Sequence, residues 1–198
     1  MVVRGQELPA YDPRGAKGHG LAYATSNRGG CHLRAYIISP EILGLPQLID
    51  RFATAGKAKW VKHFQDVFAT IDSLVVCKFV TFSYWNDVLA AQLSAVTGWD
   101  VSVEEFDTIG ERIYNAERAF NILAFGDGEE YDTLPKRLLE EPMPEGPAKG
   151  HVVELKPMLE EYYQLRGWIK GRPTRATLEK LGLKWLADRL EQGGLLPE

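Results

Sequence analysis

Residues 11–34 concentrate the side chains that bind anions and metals. This Gly/Arg segment holds five of the nineteen glycines, three arginines, one lysine, two of the four histidines and one of the two cysteines. Glycines let a backbone approach a ligand closely, and arginines bind phosphate and other oxyanions in a fork geometry. The segment therefore predicts an anionic cofactor nearby. The alternative is a Gly-rich surface loop that packs between helices.

Cys31 and Cys77 are the two thiols of the chain. Neither belongs to a Cys-x-x-Cys pair, so this chain alone cannot complete a zinc site or an iron–sulfur cluster. An isolated cysteine is most often a small buried hydrophobe, and we expect that for one of the two. The other could be a remote ligand to a cluster whose remaining ligands lie elsewhere.

The histidines leave alternatives open. His32 ends the Gly/Arg segment and could be bonded to backbone or could face a ligand. His19 lies in a glycine-flanked turn and could contact an anion, whereas His63 and His151 are expected to be structural or solvated. No dinucleotide fingerprint is present, because Tyr23 stands where the third glycine of Gly-x-Gly-x-x-Gly should be.

The composition fits one domain. The 198 residues are 45% apolar, which is enough for a sizeable core. A net charge of −4 argues against a general nucleic-acid binder or a protein that binds anionic membranes. The sequence has neither a secretory signal nor an apolar run of membrane-spanning length, so we expect a cytoplasmic protein with free thiols. Its abrupt beginning predicts a fragment of a longer chain or one subunit of a split enzyme.

Helices are the elements that must position the Gly/Arg segment. The clearest helix begins near residue 57, and its apolar face repeats with helical spacing: Trp60, Val61, Phe64, Val67, Phe68 and Ile71. The polar residues are expected on the opposite, exposed side: Lys57, Lys59, Lys62, Gln65 and Asp66. The sequence indicates an all-α, irregular multi-helix domain, with short strands considered only at residues 35–38 and 78–82.

Capping residues predict the other helices. Asp12 with Pro13 begins a short one, and Gly98 ends another that starts at Asn86 or Asp87. Ser102 opens a long helix through a capping box. We expect Phe106, Ile109, Ile113, Phe120 and Leu123 on the buried face of this helix, and Glu111, Arg112, Glu117 and Arg118 on its polar face.

The C-terminal part is expected to begin with a loop. Residues 125–150 predict a long surface loop with a helical piece at 136–140. The last helices are expected from Pro157 to Gly167, from Thr174 to Leu181, and over 183–192, where Trp185 widens the apolar side.

Two short motifs carry a family resemblance. The first runs Arg28-Gly29-Gly30-Cys31-His32-Leu33-Arg34, and the second runs Asp72-Ser73-Leu74-Val75-Val76-Cys77-Lys78-Phe79. Further matches lie at residues 12–15, 18–26, 111–121, 134–137, 162–168 and 171–174. Together they resemble the tungsten-containing aldehyde ferredoxin oxidoreductases, in the same order and over nearly the whole chain.

The resemblance implies a fold, cofactors and partners. Family members have an N-terminal β domain and two largely helical domains, and residues 1–198 are similar to the last helical domain only. The family binds tungsten, with molybdenum as the alternative metal here, through two pterin dithiolenes beside a [4Fe–4S] cluster. Its reaction oxidises an aldehyde with water to a carboxylic acid and passes electrons to ferredoxin. The competing hypothesis is a non-catalytic helical subunit or relic that docks onto a partner chain.

The resemblance also implies roles for single residues. Cys77 corresponds to the fourth cluster ligand, Asp72 to a residue that hydrogen-bonds a pterin, and Val76 to a backbone contact. Val75-Val76 replaces the usual Gly-Leu, which should make the turn stiffer.

In the first motif, Arg28 and Arg34 look like contacts of a pterin or its phosphate. His32 looks like the histidine beside the tungsten, where it could orient water or the aldehyde oxygen or take part in proton transfer. Cys31 remains a packing residue. We expect no turnover from the isolated chain, and self-association through apolar surface that other domains would cover.

Overall fold

The computed structural model describes residues 1–197, and eight α-helices dominate it. They are α1 (Lys17–Thr25), α2 (Lys57–Ser73), α3 (Asn86–Thr97), α4 (Val103–Phe125), α5 (Lys136–Glu140), α6 (Leu155–Arg166), α7 (Arg175–Lys180) and α8 (Lys184–Gln192). Two antiparallel ribbons pair β1 (Val2–Val3) with β2 (Gln6–Glu7) and β3 (Trp168–Ile169) with β4 (Arg172–Pro173). The all-α prediction is confirmed, and the predicted domain end at residue 198 lies outside the described residues.

The predicted helix ends are largely confirmed. Asp12 caps a 3₁₀ turn over Pro13–Gly15 by accepting the Arg14 N–H. The Ser102 hydroxyl accepts the Glu105 N–H at 3.1 Å and opens α4. Gly98 and Gly167 end α3 and α6 in the left-handed conformation that glycine adopts without strain. Helix α6 starts two residues before the predicted Pro157.

The two candidate strands are wrong. Residues 78–82 form a 3₁₀ turn, Lys78–Phe82. Residues 35–38 run through a bend into a π-helical turn, Ser39–Leu43, and carry no strand. Both pieces are apolar, but apolar composition alone does not distinguish a short strand from a helical turn, and it misled the strand interpretation.

Helix α2 lies at the centre of the main core, which also includes α1, α4 and α6. Its predicted apolar face is confirmed, with Val61, Val67 and Ile71 wholly buried. The predicted exposed face is wrong at three positions, because Lys57, Gln65 and Asp66 are also buried. Each has a partner from another element: Glu41 pairs with Lys57, Thr25 and Tyr162 bond Gln65, and Arg166 pairs with Asp66.

Helix α4 departs from its predicted faces in the same way. Phe106 is buried as expected, but Phe120 is 64% exposed. Arg118, expected on the outside, is wholly buried, where it donates to Asp132 at 2.7 Å and to the Gly171 carbonyl at 2.8 Å. The arginine is stable inside because its charge is paired and its N–H groups are bonded.

A second, smaller core forms where α4 meets the C-terminal helices. It joins Ala119 and Ile122 of α4 to buried residues of the α7–α8 region: Leu178, Leu181, Leu183, Leu186, Ala187 and Leu190. Trp185 was expected to widen this apolar side but is 62% exposed. Among residues 1–197, no helix combines the length and apolarity needed to cross a bilayer.

The close crossing of α2 and α4 occurs at Gly110. A Cβ atom there would lie 1.9 Å from the Asp66 carbonyl oxygen, a distance no real contact permits. The side chain of the same residue, Asp66, accepts a hydrogen bond from the Arg166 guanidinium at 2.5 Å. Gly110 therefore allows the two backbones to approach at the point where a buried ion pair also ties α2 to α6.

We expect Gly110→Ala to destabilise the chain by about 3 kcal/mol, because overpacking against backbone cannot relax by a rotamer change. Urea unfolding followed by circular dichroism measures this loss. Phe120→Ala is the control: this residue is in the same helix and 64% exposed, so its free energy of unfolding should change little. An unchanged Gly110→Ala stability would contradict the close crossing.

Candidate functional site

The glycines of the Gly/Arg segment serve packing within the chain. A Cβ atom on Gly18 would meet Ile37 at 2.9 Å, and one on Gly20 would meet Val153 at 2.8 Å. Gly29 has φ +96°, and a Cβ there would lie 2.8 Å from the Val3 carbonyl oxygen. The segment is therefore neither an exposed loop nor a glycine cradle, and its side chains must make any contact with a ligand.

Arg34 joins the two predicted motifs. Its guanidinium donates to Asp72 Oδ2 at 2.5 Å and also pairs with Glu117 of α4. Burial would lower the pKa of Arg34, but the Glu117 and Asp72 carboxylates outweigh it and raise the pKa, so the side chain stays charged. The structure thus places the Gly/Arg segment beside residues 72–77, as the resemblance implies.

Lys78 reinforces this junction. Its ammonium donates to Asp72 Oδ2 at 2.8 Å and to the Leu33 carbonyl at 2.5 Å. The hydrogen bonds from Arg34 and Lys78 both go to Asp72 Oδ2, and the Asp72 side chain is 32% exposed. Asp72 Oδ1 has no hydrogen-bond donor among residues 1–197, so it can accept one from a ligand.

Arg28 and Cys31 form a separate contact. The Arg28 guanidinium donates to Cys31 Sγ at 2.8 Å, and the Leu33 N–H donates to the same sulfur at 3.3 Å. Cys31 is buried, which confirms its expected packing role, while Arg28 is exposed. Arg28, Arg34 and Glu117 all line an open groove of about 490 Å³ along α4.

His32 is half-buried in an aromatic environment. Its ring centroid lies 5.2 Å from that of Tyr11 and 6.2 Å from that of Tyr36. Burial lowers the pKa of His32 below 6.5, and the positive charges of Arg28 and Lys78 lower it further. The imidazole is therefore neutral at pH 7 and can accept a proton.

The turn over residues 72–77 is strained at Val75. This residue has φ +58° and is 92% exposed. A β-branched residue in the left-handed region costs about 1–2 kcal/mol relative to its ordinary conformation. The Val76 N–H reaches the Ile71 carbonyl only at 3.4 Å, and the Cys77 thiol that follows is free and exposed.

The donor set at the junction fits part of a metal–pterin site. Asp72 Oδ1 suits the N–H groups of a pterin, and the exposed guanidinium of Arg28 suits its oxygens. Arg34, expected to be a second pterin contact, is buried, and both of its terminal nitrogens are paired with Asp72 and Glu117. Cys77 offers one exposed thiol, while residues 1–197 hold no group of three side chains that could bind a metal ion. Among the described residues, the junction therefore offers one exposed thiol and one free carboxylate oxygen to a ligand.

His19 cannot contact an external anion. The side chain is wholly buried, and neither ring nitrogen has a hydrogen-bond partner among the described residues. Its ring lies edge-on to that of Tyr23, 4.5 Å between centroids. Burial, with the nearby His32, lowers the pKa of His19 to about 3.

Similarity to known proteins extends over most of the chain. The family model described as "Aldehyde ferredoxin oxidoreductase, domains 2 & 3" matches residues 1–183. The chain belongs to this family. It is 58% identical over 186 residues to the tungsten-containing aldehyde ferredoxin oxidoreductase of Pyrococcus abyssi, and 56% identical over 185 residues to that of Thermococcus kodakarensis. These alignments cover 93% and 92% of the chain but 31% of each relative.

A solved structure shows the same fold at low sequence identity. The active-site complex BamBC of benzoyl coenzyme A reductase, in complex with 1,5-dienoyl-CoA, matches with a TM-score of 0.62 and 23% identity. The match covers 77% of this chain and 23% of that one. It supports the helical architecture of this aldehyde ferredoxin oxidoreductase family member.

Sequence reasoning missed two charged residues of the junction. Lys78 directly follows Cys77, and Glu117 was assigned only to the exposed face of its helix. Neither contact with the Gly/Arg segment has a local signal, because Lys78 bonds Leu33 from 45 residues away in sequence and Glu117 pairs with Arg34 from 83 residues away. The sequence shows that these residues are charged, but it does not show which residues they pair with.

We expect Val75→Gly to stabilise the chain by about 1 kcal/mol, since glycine adopts positive φ without steric cost. The matched control is Val96→Gly, at an equally exposed valine in ordinary helix α3. That change should destabilise by roughly 0.3–0.5 kcal/mol, the difference between valine and glycine in helix propensity. Urea unfolding of both variants measures whether their free energies of unfolding change in opposite directions. A loss of stability in Val75→Gly would contradict the strain at Val75.

We expect His19→Phe to reduce the acid sensitivity of the fold. The pKa of His19 is about 3 when folded and 6.5 when unfolded, so the unfolded chain binds an extra proton between those values. Stability is therefore lost as pH falls below 6.5, by about 2 kcal/mol at pH 5. The unfolding free energies at pH 7.5 and pH 5 measure this difference, and an equal loss in the variant and the parent would contradict it.

Proposed function

We propose that this chain is the C-terminal helical domain of an enzyme that oxidises aldehydes to carboxylic acids. The single observation that carries the proposal is the junction where Arg34 pairs with Asp72 and Glu117. Asp72 lies five residues before the exposed Cys77. Because the chain spans 31% of the length of its relatives, the remaining domains or a partner subunit must complete the site.

Each residue of the junction has a proposed role. Cys77 is the fourth ligand of a [4Fe–4S] cluster, since its thiol is free and exposed. Asp72 accepts a hydrogen bond from a pterin through Oδ1, and the Val76 backbone contacts the same ring. Arg34 holds Asp72 in place, and Arg28, exposed beside it, binds a pterin oxygen or phosphate.

His32 is the proposed catalytic residue. Its lowered pKa leaves the imidazole neutral at pH 7, so it can orient a water molecule and accept a proton from it. A tungsten, or molybdenum, bis-pterin when bound would supply the two-electron oxidation, in which aldehyde and water give carboxylic acid, two protons and two electrons. The half-buried position of His32 limits its contact with bulk water while leaving one side open.

The partners follow from the same proposal. Ferredoxin receives the electrons from the cluster beside Cys77, and a small aldehyde is the substrate. We assign the protein to the cytoplasm, because its two cysteines are free thiols and reducing compartments preserve thiols.

A second candidate is a non-catalytic helical subunit that docks onto a partner chain. The exposed apolar residues of α4 favour it: Phe120, Leu123 and Phe125. In this case Cys77 would bind no cluster, and the apolar surface would either meet the partner or drive self-association.

A chimera tests the two candidates. Residues 1–198 replace the matching segment of the Pyrococcus abyssi relative, and the purified protein is analysed for tungsten, molybdenum and iron and for aldehyde oxidation with a viologen dye. We expect metal and turnover in the chimera and no turnover in the isolated chain. A chimera that folds without tungsten, molybdenum and iron would favour the docking subunit.

Single substitutions in the chimera separate the roles. Cys77→Ser should lower the iron content, whereas Cys31→Ser is the matched control and should keep it, because Cys31 is buried beside Arg28. His32→Gln should keep both metals and lower kcat by about 10²–10⁴-fold. Equal iron in the two cysteine variants would remove Cys77 from the ligand set.

A further inference from the structure

Tyr36 lies at the centre of a cluster of aromatic rings. It packs edge-on against five others, with centroid distances of 6.0–6.5 Å. Such T-shaped contacts are favourable at this spacing and fix ring orientation. The five neighbours are Tyr11, His19, His32, Phe79 and Phe82.

These neighbours come from two different parts of the site. His32 belongs to the Gly/Arg segment, while Phe79 and Phe82 belong to the 3₁₀ turn that directly follows Cys77. The two phenylalanine rings are stacked 5.6 Å apart with 13° between their planes. Within residues 1–197 neither ring contacts His32 directly, so Tyr36 is the ring that the two groups share.

We propose that Tyr36 is a positioning residue that couples the turn after Cys77 to the orientation of the His32 imidazole. Movement of the stacked Phe79–Phe82 pair displaces the Tyr36 ring, and Tyr36 displaces His32. The consequence for catalysis rests on the proposed function, since it would link ligand binding at Cys77 to the histidine. The coupling itself is a property of this chain and needs no cofactor.

The 3₁₀ turn is suited to such movement. Phe79 is 53% exposed and Phe82 is 41% exposed, so neither ring is enclosed by the rest of the chain. A second route could connect it to His32, because Lys78 donates to the carbonyl of Leu33, the neighbour of His32. Any test must therefore separate the aromatic route through Tyr36 from the polar route through Lys78.

A double-substitution experiment on the full 198-residue chain makes that separation. Nuclear magnetic resonance records the ring resonances of the four histidines, with those of His32 assigned from their loss in His32→Gln. We expect Phe79→Ala to displace the His32 resonances. In a Tyr36→Ala background most of that displacement should disappear, and in a Tyr36→Phe background it should be restored, because phenylalanine keeps the ring.

Tyr163→Ala is the matched control, since Tyr163 is also half-buried but packs against Tyr162 and Asp132. In this background Phe79→Ala should displace His32 as in the parent. An equal displacement with and without the Tyr36 ring would overturn the proposal in favour of Lys78, and no displacement in the parent would overturn it outright. Because no cofactor is present, these outcomes are independent of metal binding or turnover in the chimera.

Discussion

The crossing of α2 and α4 at Gly110 is the constraint on which the site depends. It brings the two backbones so close that the Asp66 carbonyl occupies the space of a side chain at Gly110. The Asp66 carboxylate then pairs with Arg166, whose guanidinium lies 4.3 Å from the centroid of the Tyr114 ring. A buried charge with fully bonded partners permits few alternative arrangements, so the angle and register of α2 against α4 are fixed together.

That geometry reaches the site through the far ends of the same two helices. Asp72 lies in the last turn of α2, and Glu117 lies two turns beyond Gly110 in α4. Arg34 pairs with both carboxylates. Its guanidinium can do so only if α2 and α4 hold the two carboxylates close enough together for one guanidinium to reach both. The Gly/Arg segment is consequently positioned by a core packed more than one helical turn away.

Local signals in the sequence predicted the helix ends well but the buried polar residues poorly. Ser102 and Gly167 act through atoms within four residues of themselves, so the sequence is sufficient to find them. Lys57, Asp66 and Arg118 look like solvated surface, yet each is buried against a partner more than ten residues away. The ligand role proposed for Cys77 comes from a motif, whereas the Tyr36 cluster required the fold.

The strain at Val75 bears on how the site is assembled. A valine with φ +58° is held there by the residues on either side: Lys78 is tied to Asp72, and the end of α2 fixes the direction of entry. Strained backbone persists only where its surroundings over-determine it. The conformation at Val75 therefore depends on the same Lys78–Asp72 ion pair that helps to hold Asp72 beside Arg34.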